Sequence, residues 1–376
     1  MVQALCSLGC SITAVKYSPV GNMDVRIEPA PISGDVHIDV GLAGTVMRFL
    51  PPIAALGIGA VTFDGDPHAR KRPMATIIDA LGQLGVKLED DAGGRLPFTI
   101  FGTGCVTGDS VTIDASASSQ FVSALLLAGP RFANGLTIIH EGPPVPSTPH
   151  IQMTIAMLAE HGIIVDSDGS RVWHVPASTV PALDRSIEPD LSNAAPFLAA
   201  AMVAGGTVTV PNWPTQTTQP GDALRGILSD MGAGVSLTAA GLTVSGGTCI
   251  RGLDADLGAV GELTPTLAAL AALADSPSRF TGIAHLRGHE TDRLHALCTE
   301  INRLGGHAQE LSDGLMIVPT PLHGGLMNTY DDHRMATAGA VLGLAVPEVT
   351  VENIDTTAKT LPNFAERWTA MLEVVN

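Results

Sequence analysis

A helix that stops at a glycine and runs into a strand recurs at nearly constant intervals, and this restricts the fold more than any other feature. Amphipathic segments at 1–8, 76–84, 152–161, 223–231 and 294–304 end at Gly9, Gly85, Gly162, Gly232 and Gly305, spaced about 70 to 77 residues apart. Apolar residues at helical spacing followed by glycine predict a helix closed by a left-handed residue. Alternating runs at 86–88 and 163–165 then predict strands. A second series interleaves with the first. Loop-to-helix junctions fall at Gly44-Thr45-Val46-Met47-Arg48, Ser118-Ser119-Gln120-Phe121, Ser192-Asn193-Ala194-Ala195, Glu262-Leu263-Thr264-Pro265 and Asp332-His333-Arg334. After each helix comes a β-rich run, at 60–63, 136–139, 207–210, 280–283 and 349–351.

The unit is therefore strand–helix–strand–helix–strand–strand, about 72 residues long, and repetition on that scale implies a shared architecture. The expected fold class is α/β, with two lobes of three units each, parallel sheets outside and the apolar helices gathered within. The lobe boundary is expected near Glu188-Pro189-Asp190, giving lobes 1–188 and 189–376. Six such units would need about 430 residues, a shortfall here of about 55. The chain opens directly in a helix of the first series, so the first unit is expected to be incomplete at its front. The last unit ends at a helix over 364–375, so its closing strand is expected to come from elsewhere.

Hydrophobic residues make up 45% of the chain but aromatics only 4%, so the core must be mostly Ala, Leu, Val and Ile. No apolar run approaches about 18 residues without a break, and no membrane-spanning helix is expected. The opening residues lack a basic leader, which points to a cytoplasmic protein. A net charge of −17 argues against nucleic acid as a partner. It also makes the few cations informative. Arg48, Arg70, Lys71, Arg72, Arg287, Arg293, Arg334 and Lys359 fall in short motifs beside Gly, Ser and Thr, as in a cleft that traps a small polyanion. Five cysteines without a CxxC pair read as reduced thiols. His285 and His289-Glu290 have metal-like spacing but no third ligand, so no metal is expected.

Several motifs carry chemistry. Asp332 reads as a helix N-cap, which puts His333 and Arg334 in a first turn whose free N–H groups favour anions. Ser118-Ser119-Gln120 offers two hydroxyls and an amide at another helix start, and Pro146-Ser147-Thr148-Pro149-His150 fixes a hydroxyl on a stiff loop. Thr291 or Asp292 should cap the helix that begins near Arg293, with Glu290 and Arg293 close enough to pair. Glu262, between Gly261 and the apolar run 263–273, is expected to be at least half buried, a candidate general base. Lys359 stands alone in a turn before the last helix.

In order, Leu42-Ala43-Gly44-Thr45-Val46-Met47-Arg48, Arg72-Pro73, Ser118-Ser119-Gln120-Phe121, His289-Glu290-Thr291-Asp292-Arg293, Asp332-His333-Arg334-Met335-Ala336 and Ala358-Lys359-Thr360 resemble the motifs of the 3-phosphoshikimate 1-carboxyvinyltransferase (EPSP synthase) family. The resemblance covers essentially the whole chain. It implies an enolpyruvyltransferase-like fold of six βαβαββ repeats and transfer of the enolpyruvyl group of phosphoenolpyruvate to the 5-hydroxyl of shikimate 3-phosphate. By position it implies that Ser118, Ser119, Gln120, Ser147, Glu262 and His289 contact shikimate 3-phosphate. Gly44, Arg72, Gln120, Arg293, Arg334 and Lys359 would surround phosphoenolpyruvate, and Glu262 and Glu290 would move protons. No cofactor is implied, and a monomer is expected. Leu42, His150, His285 and His289 stand where the family commonly has Asn, Tyr, Asn and Lys. The Gly-Ser-Lys-Ser segment that opens the family's proteins has no counterpart, which implies low activity or an anion-binding remnant. UDP-N-acetylglucosamine enolpyruvyltransferase shares the repeat fold but usually carries a Cys near the Arg72 position, and 64–73 has none.

Overall fold

Each complete repeat is one parallel strand pair joined through a helix, followed by a helix and a returning hairpin. The computed structural model describes residues 1–17 and 23–373. Val36–Asp39 and Ile58–Asp64 run parallel across the helix Gly44–Ala54; Phe98–Thr103 and Lys87–Glu89 then add antiparallel, in that spatial order. The same order recurs in Ser110–Ile113, Leu136–His140, Val172–Val175 and Asp166–Ser167. It recurs again in Asp254–Asp256, Ser278–Thr281, Leu315–Val318 and His307–Glu310. The expectation of parallel sheets is thus corrected to mixed ones. Alternation fixes which face of a strand is buried but not its direction; a short connection forces antiparallel pairing, whereas a parallel pair needs a crossover. Among the described residues three smaller sheets complete the set: Thr207–Val210, Gly241–Ser245 and Gly234–Thr238; Gly325–Met327 beside Val349–Val351; and Ser11–Tyr17 beside Met23–Glu28.

The five helix-closing glycines all have positive φ, from +75° to +107°. Smaller expectations need adjustment. Residues 163–165 form no strand, and pairing there is reduced to Asp166–Ser167. The run 280–283 ends as a strand at Thr281 because Gly282 turns the chain at φ +75°. The last helix is Phe364–Glu373, and the remainder of the expected span, 374–375, lies outside the described residues.

The chain divides into two compact units, Met1–Asp184 and Arg185–Asn376, each with its own core. In the C-terminal unit the helices Leu191–Ala204, Thr264–Ala272 and His333–Gly343 pack on one another. Thr264–Ala272 is buried along its whole length, which only a sequence apolar all round tolerates. Its Ala and Leu residues let neighbouring helices approach closely, and the scarce aromatics gather instead as Phe197, Phe364 and Trp368, with centroids 5.3 to 5.6 Å apart. In the N-terminal unit Gly44–Ala54 packs on Gln120–Ala128, which packs on Thr148–Glu160. The hairpin of Ser11–Tyr17 and Met23–Glu28 is almost wholly exposed and adds little to that core. Leu267, fully buried in the innermost helix, tests the packing. Leu267→Ala should lower the unfolding free energy by about 3 kcal/mol in urea titration, with the denaturant slope unchanged.

Candidate active site

In the C-terminal unit the site grows from three helix starts. Asp292 caps the helix Arg293–Arg303 by accepting from His295 N at 3.1 Å, and Asp332 caps His333–Gly343 by accepting from Arg334 N at 2.8 Å. The Arg293 side chain is 1% exposed and that of Asp332 0%, so their charges face each other almost without water. Arg293 donates from Nε to Asp332 Oδ2 at 2.7 Å and from Nη2 to Asp332 Oδ1 at 3.2 Å and Glu290 Oε2 at 2.9 Å. Its Nη1 meets His289 Nδ1 at 2.9 Å. Glu290 also pairs with Lys359, at the end of the turn Ile354–Lys359. Arg334 donates to Glu262 Oε2 at 3.1 Å and to the Ser192 carbonyl at 3.4 Å. Its buried Nε has no partner among the described residues, a donor suited to an anion.

The electrostatics follow from this burial. Desolvation works against the Arg293 charge, but Asp332 and Glu290 more than offset it and hold its pKa above the usual value. Burial likewise opposes ionised Asp332, yet Arg293 holds its carboxyl below the ordinary range. His289 is pushed down to about 3, by desolvation first and then by Arg293. A neutral imidazole is what the contact requires, since Nδ1 must accept from the guanidinium and Nε2 then carries the proton. Desolvation, then Arg334, lowers His333 to about 4. Gly261 stays a glycine because a Cβ there would lie 2.7 Å from His285 Nε2. The His285 and His289 rings stand edge to face at 5.7 Å, and no cluster of three metal-ligating side chains occurs among the described residues.

The N-terminal unit gathers a second set. Arg48, buried inside Gly44–Ala54, donates from Nη1 to Ser118 Oγ at 3.1 Å and to Gln120 Oε1 at 2.9 Å, and lies 5.0 Å from the Phe121 ring centroid. One arginine thus orders the start of Gln120–Ala128, where Gln120 N also donates to Ser118 Oγ at 3.3 Å. Ser119 is buried beside them. Gly44 leaves room for Arg72, whose Nη1 and Nη2 would lie 3.0 Å from any Cβ there. Ser147 precedes Thr148–Glu160 in a left-handed conformation, φ +50°, with no side-chain cap bond. Buried His140 joins the loops carrying these hydroxyls, accepting from Ala115 N at 3.2 Å and bonding the Pro143 carbonyl at 2.8 Å.

Not every cation takes part. Arg287, expected in the anion cluster, is committed to Asp292 at 3.0 Å and Glu310 at 2.5 Å, and Arg70 to Asp64 at 2.6 Å. Sequence reasoning saw Asp332 as a cap only, and gave no role to His140; neither has a local signal for its long-range partner. The histidines yield a test. A folded pKa below 6.5 means that the unfolded chain takes up the proton first. The stability His333 contributes is therefore full above about pH 6.5 and is lost as pH falls toward 4. Urea unfolding at pH about 5.5 should show roughly 1 kcal/mol less stability from this group than at about 7.5. His333→Gln should shrink that difference.

The comparisons with known proteins agree with one another. A family model described as EPSP synthase (3-phosphoshikimate 1-carboxyvinyltransferase) matches residues 1–368. A 3-phosphoshikimate 1-carboxyvinyltransferase of Kocuria rhizophila is 55% identical over 377 residues, covering 99% of this chain and 85% of that protein. A 2.37 Å structure of EPSP synthase from Acinetobacter baumannii shares the fold with a TM-score of 0.76 at 23% identity, covering 98% of this chain and 86% of that one. A second structure of EPSP synthase from the same organism gives 0.75 at 22%, with the same coverage. Against the expectation of a first unit incomplete at its front, the family match opens at residue 1 and the Kocuria alignment takes in 99% of this chain. The chain belongs to the EPSP synthase, or 3-phosphoshikimate 1-carboxyvinyltransferase, family.

Proposed function

We propose that this chain transfers the enolpyruvyl group of phosphoenolpyruvate to the 5-hydroxyl of shikimate 3-phosphate, giving 5-enolpyruvylshikimate 3-phosphate and inorganic phosphate. The observation that supports it most is the buried Arg293, held between Asp332 and Glu290 with Lys359 on the same glutamate, in a chain of this family. The substrate oxygen bonds to C2 of phosphoenolpyruvate as C3 gains a proton, giving a tetrahedral ketal phosphate. Cleavage of the C2–O bond to phosphate and loss of a C3 proton restore the double bond. No electrons pass to a carrier, so no redox cofactor enters the balance.

The residue types suit these steps. Carboxylates stabilise the cation-like C2 and move protons, and fixed cations hold the carboxylate and phosphate of the substrate. Glu262, 3.1 Å from Arg334, is assigned to the proton of the 5-hydroxyl. Glu290, between Arg293 and Lys359, is assigned to the proton at C3. Arg293, Arg334 and Lys359 are assigned to phosphoenolpyruvate, and neutral His289 to a hydrogen bond with shikimate 3-phosphate. In the N-terminal unit Ser118, Ser119, Gln120 and Ser147 are assigned to shikimate 3-phosphate, and Gly44, Arg72 and Gln120 to phosphoenolpyruvate. Among the described residues no helix is long and apolar enough to cross a membrane, and the net charge of −17 disfavours nucleic acid. We read the protein as a cytoplasmic monomer.

Phosphate release from the two substrates tests the reading; its absence overturns it. Glu262→Gln should lower kcat by about 100-fold or more while leaving shikimate 3-phosphate affinity within about threefold. Normal turnover in that variant would remove Glu262 from the mechanism.

A further inference from the structure

Glu300 is a carboxylate with no part in the reaction above, yet its side chain is 0% exposed. It lies on the same helix as Arg293, seven residues on, which puts both on one face about 10 Å apart along the axis. Its Oε2 accepts from Asn328 N at 2.9 Å and lies 3.2 Å from Arg303 Nε. Its Oε1 accepts from Tyr330 OH at 2.7 Å and from Asn328 Nδ2 at 3.3 Å. Every one of these partners but Arg303 belongs to the segment that delivers Asp332 to Arg293.

That segment is strained. Tyr330 and Asp331 both adopt left-handed conformations, φ +56° and +55°, which cost about 1–3 kcal/mol each and persist only when the surroundings hold them. Glu300 holds the first through its hydroxyl. Asn353 Nδ2 and Thr356 Oγ1 hold the second, bonding Asp331 Oδ1 at 3.1 Å and its carbonyl at 2.8 Å. Residues 328–332 are thus clamped to one helix at both ends, by Glu300 at the start and by Arg293 at the finish. Packing alone does not call for a carboxyl group here, because an apolar side chain of similar volume fills such a site with no desolvation cost.

We propose that Glu300 is a positioning residue for the phosphoenolpyruvate half of the site. It sets Asn328 and Tyr330, these set the Asp332 carboxylate, and Asp332 aims the Arg293 guanidinium. The naming of phosphoenolpyruvate rests on the functional reading above; the positioning of Arg293 does not.

Two measurements on the full chain separate these. The first follows exchange of the Arg293 Nε–H proton by NMR, its resonance assigned with Arg293→Lys. Slow exchange is expected in the wild type and exchange faster by about tenfold in Glu300→Gln, with the unfolding midpoint shifted little. The second is kinetic. Glu300→Gln should raise KM for phosphoenolpyruvate about tenfold and leave KM for shikimate 3-phosphate within about twofold. Tyr330→Phe, which removes one hydroxyl and carries the test if Glu300→Gln does not fold, should shift both readouts the same way by less. The double variant should be no worse than Glu300→Gln. Unchanged Nε–H exchange, or equal loss for both substrates, overturns the proposal. A wild type that releases no phosphate overturns the functional reading, while the exchange measurement still decides the role of Glu300.

Discussion

The candidate site of the C-terminal unit depends on one buried ion pair, Arg293 with Asp332. Taking both charges out of water costs several kcal/mol per ion, recovered only when geometry and further hydrogen bonds are good. Here they are. Both Asp332 oxygens accept from the guanidinium, and Oδ1 also receives the Arg334 N–H that starts the next helix. Deleting either partner would strand a buried charge, a loss of about 3–5 kcal/mol. The pair therefore does more than bind two side chains. It fixes the start of Arg293–Arg303 against the start of His333–Gly343, and so places Arg334, which reaches Glu262 on a third.

The cations expected to meet an anion are already paired. Arg293, Arg334 and Lys359 stand against Asp332, Glu262 and Glu290, three positive groups to three negative. This pairing avoids the self-repulsion that three clustered positive charges would otherwise suffer. The chain's overall charge of −17 matters little at this range, because exposed charges are screened beyond about 8–10 Å. Local pairing decides, and it keeps Glu262 and Glu290 beside the three cations.

What the sequence made legible was local. The caps at Asp292 and Asp332, the glycine stops and the Glu290–Arg293 pair each span two to four residues, and spacing alone reveals them. The repeat came from the same short-range signals, summed over the chain. Contacts that complete the site were not legible. Arg293 meets Asp332 across 39 residues, Lys359 meets Glu290 across 69, and Arg48 meets Ser118 and Gln120 across 70 and 72. Arg287 was misplaced for the same reason: Glu310, 23 residues away on a strand, claims it. Strand direction was lost because alternation has no polarity. Glu300 reads in sequence as one more helix-surface acid, and only the return of 328–330 to that helix makes it a clamp.

His289 shows how closely the charge count is kept. The sequence resemblance sets it at a position where lysine is expected, and it lies 2.9 Å from the Arg293 guanidinium. A lysine ammonium in that contact would set two positive groups together and raise the count to four against three. The imidazole, held neutral by burial and by Arg293 itself, accepts from the arginine and leaves the balance unchanged. Its pKa of about 3 also means that it stays a hydrogen-bond donor through Nε2 across the whole range in which a carboxylate-dependent reaction can run. The imidazole thus extends the Asp332–Arg293 chain by one hydrogen bond without adding a charge to it.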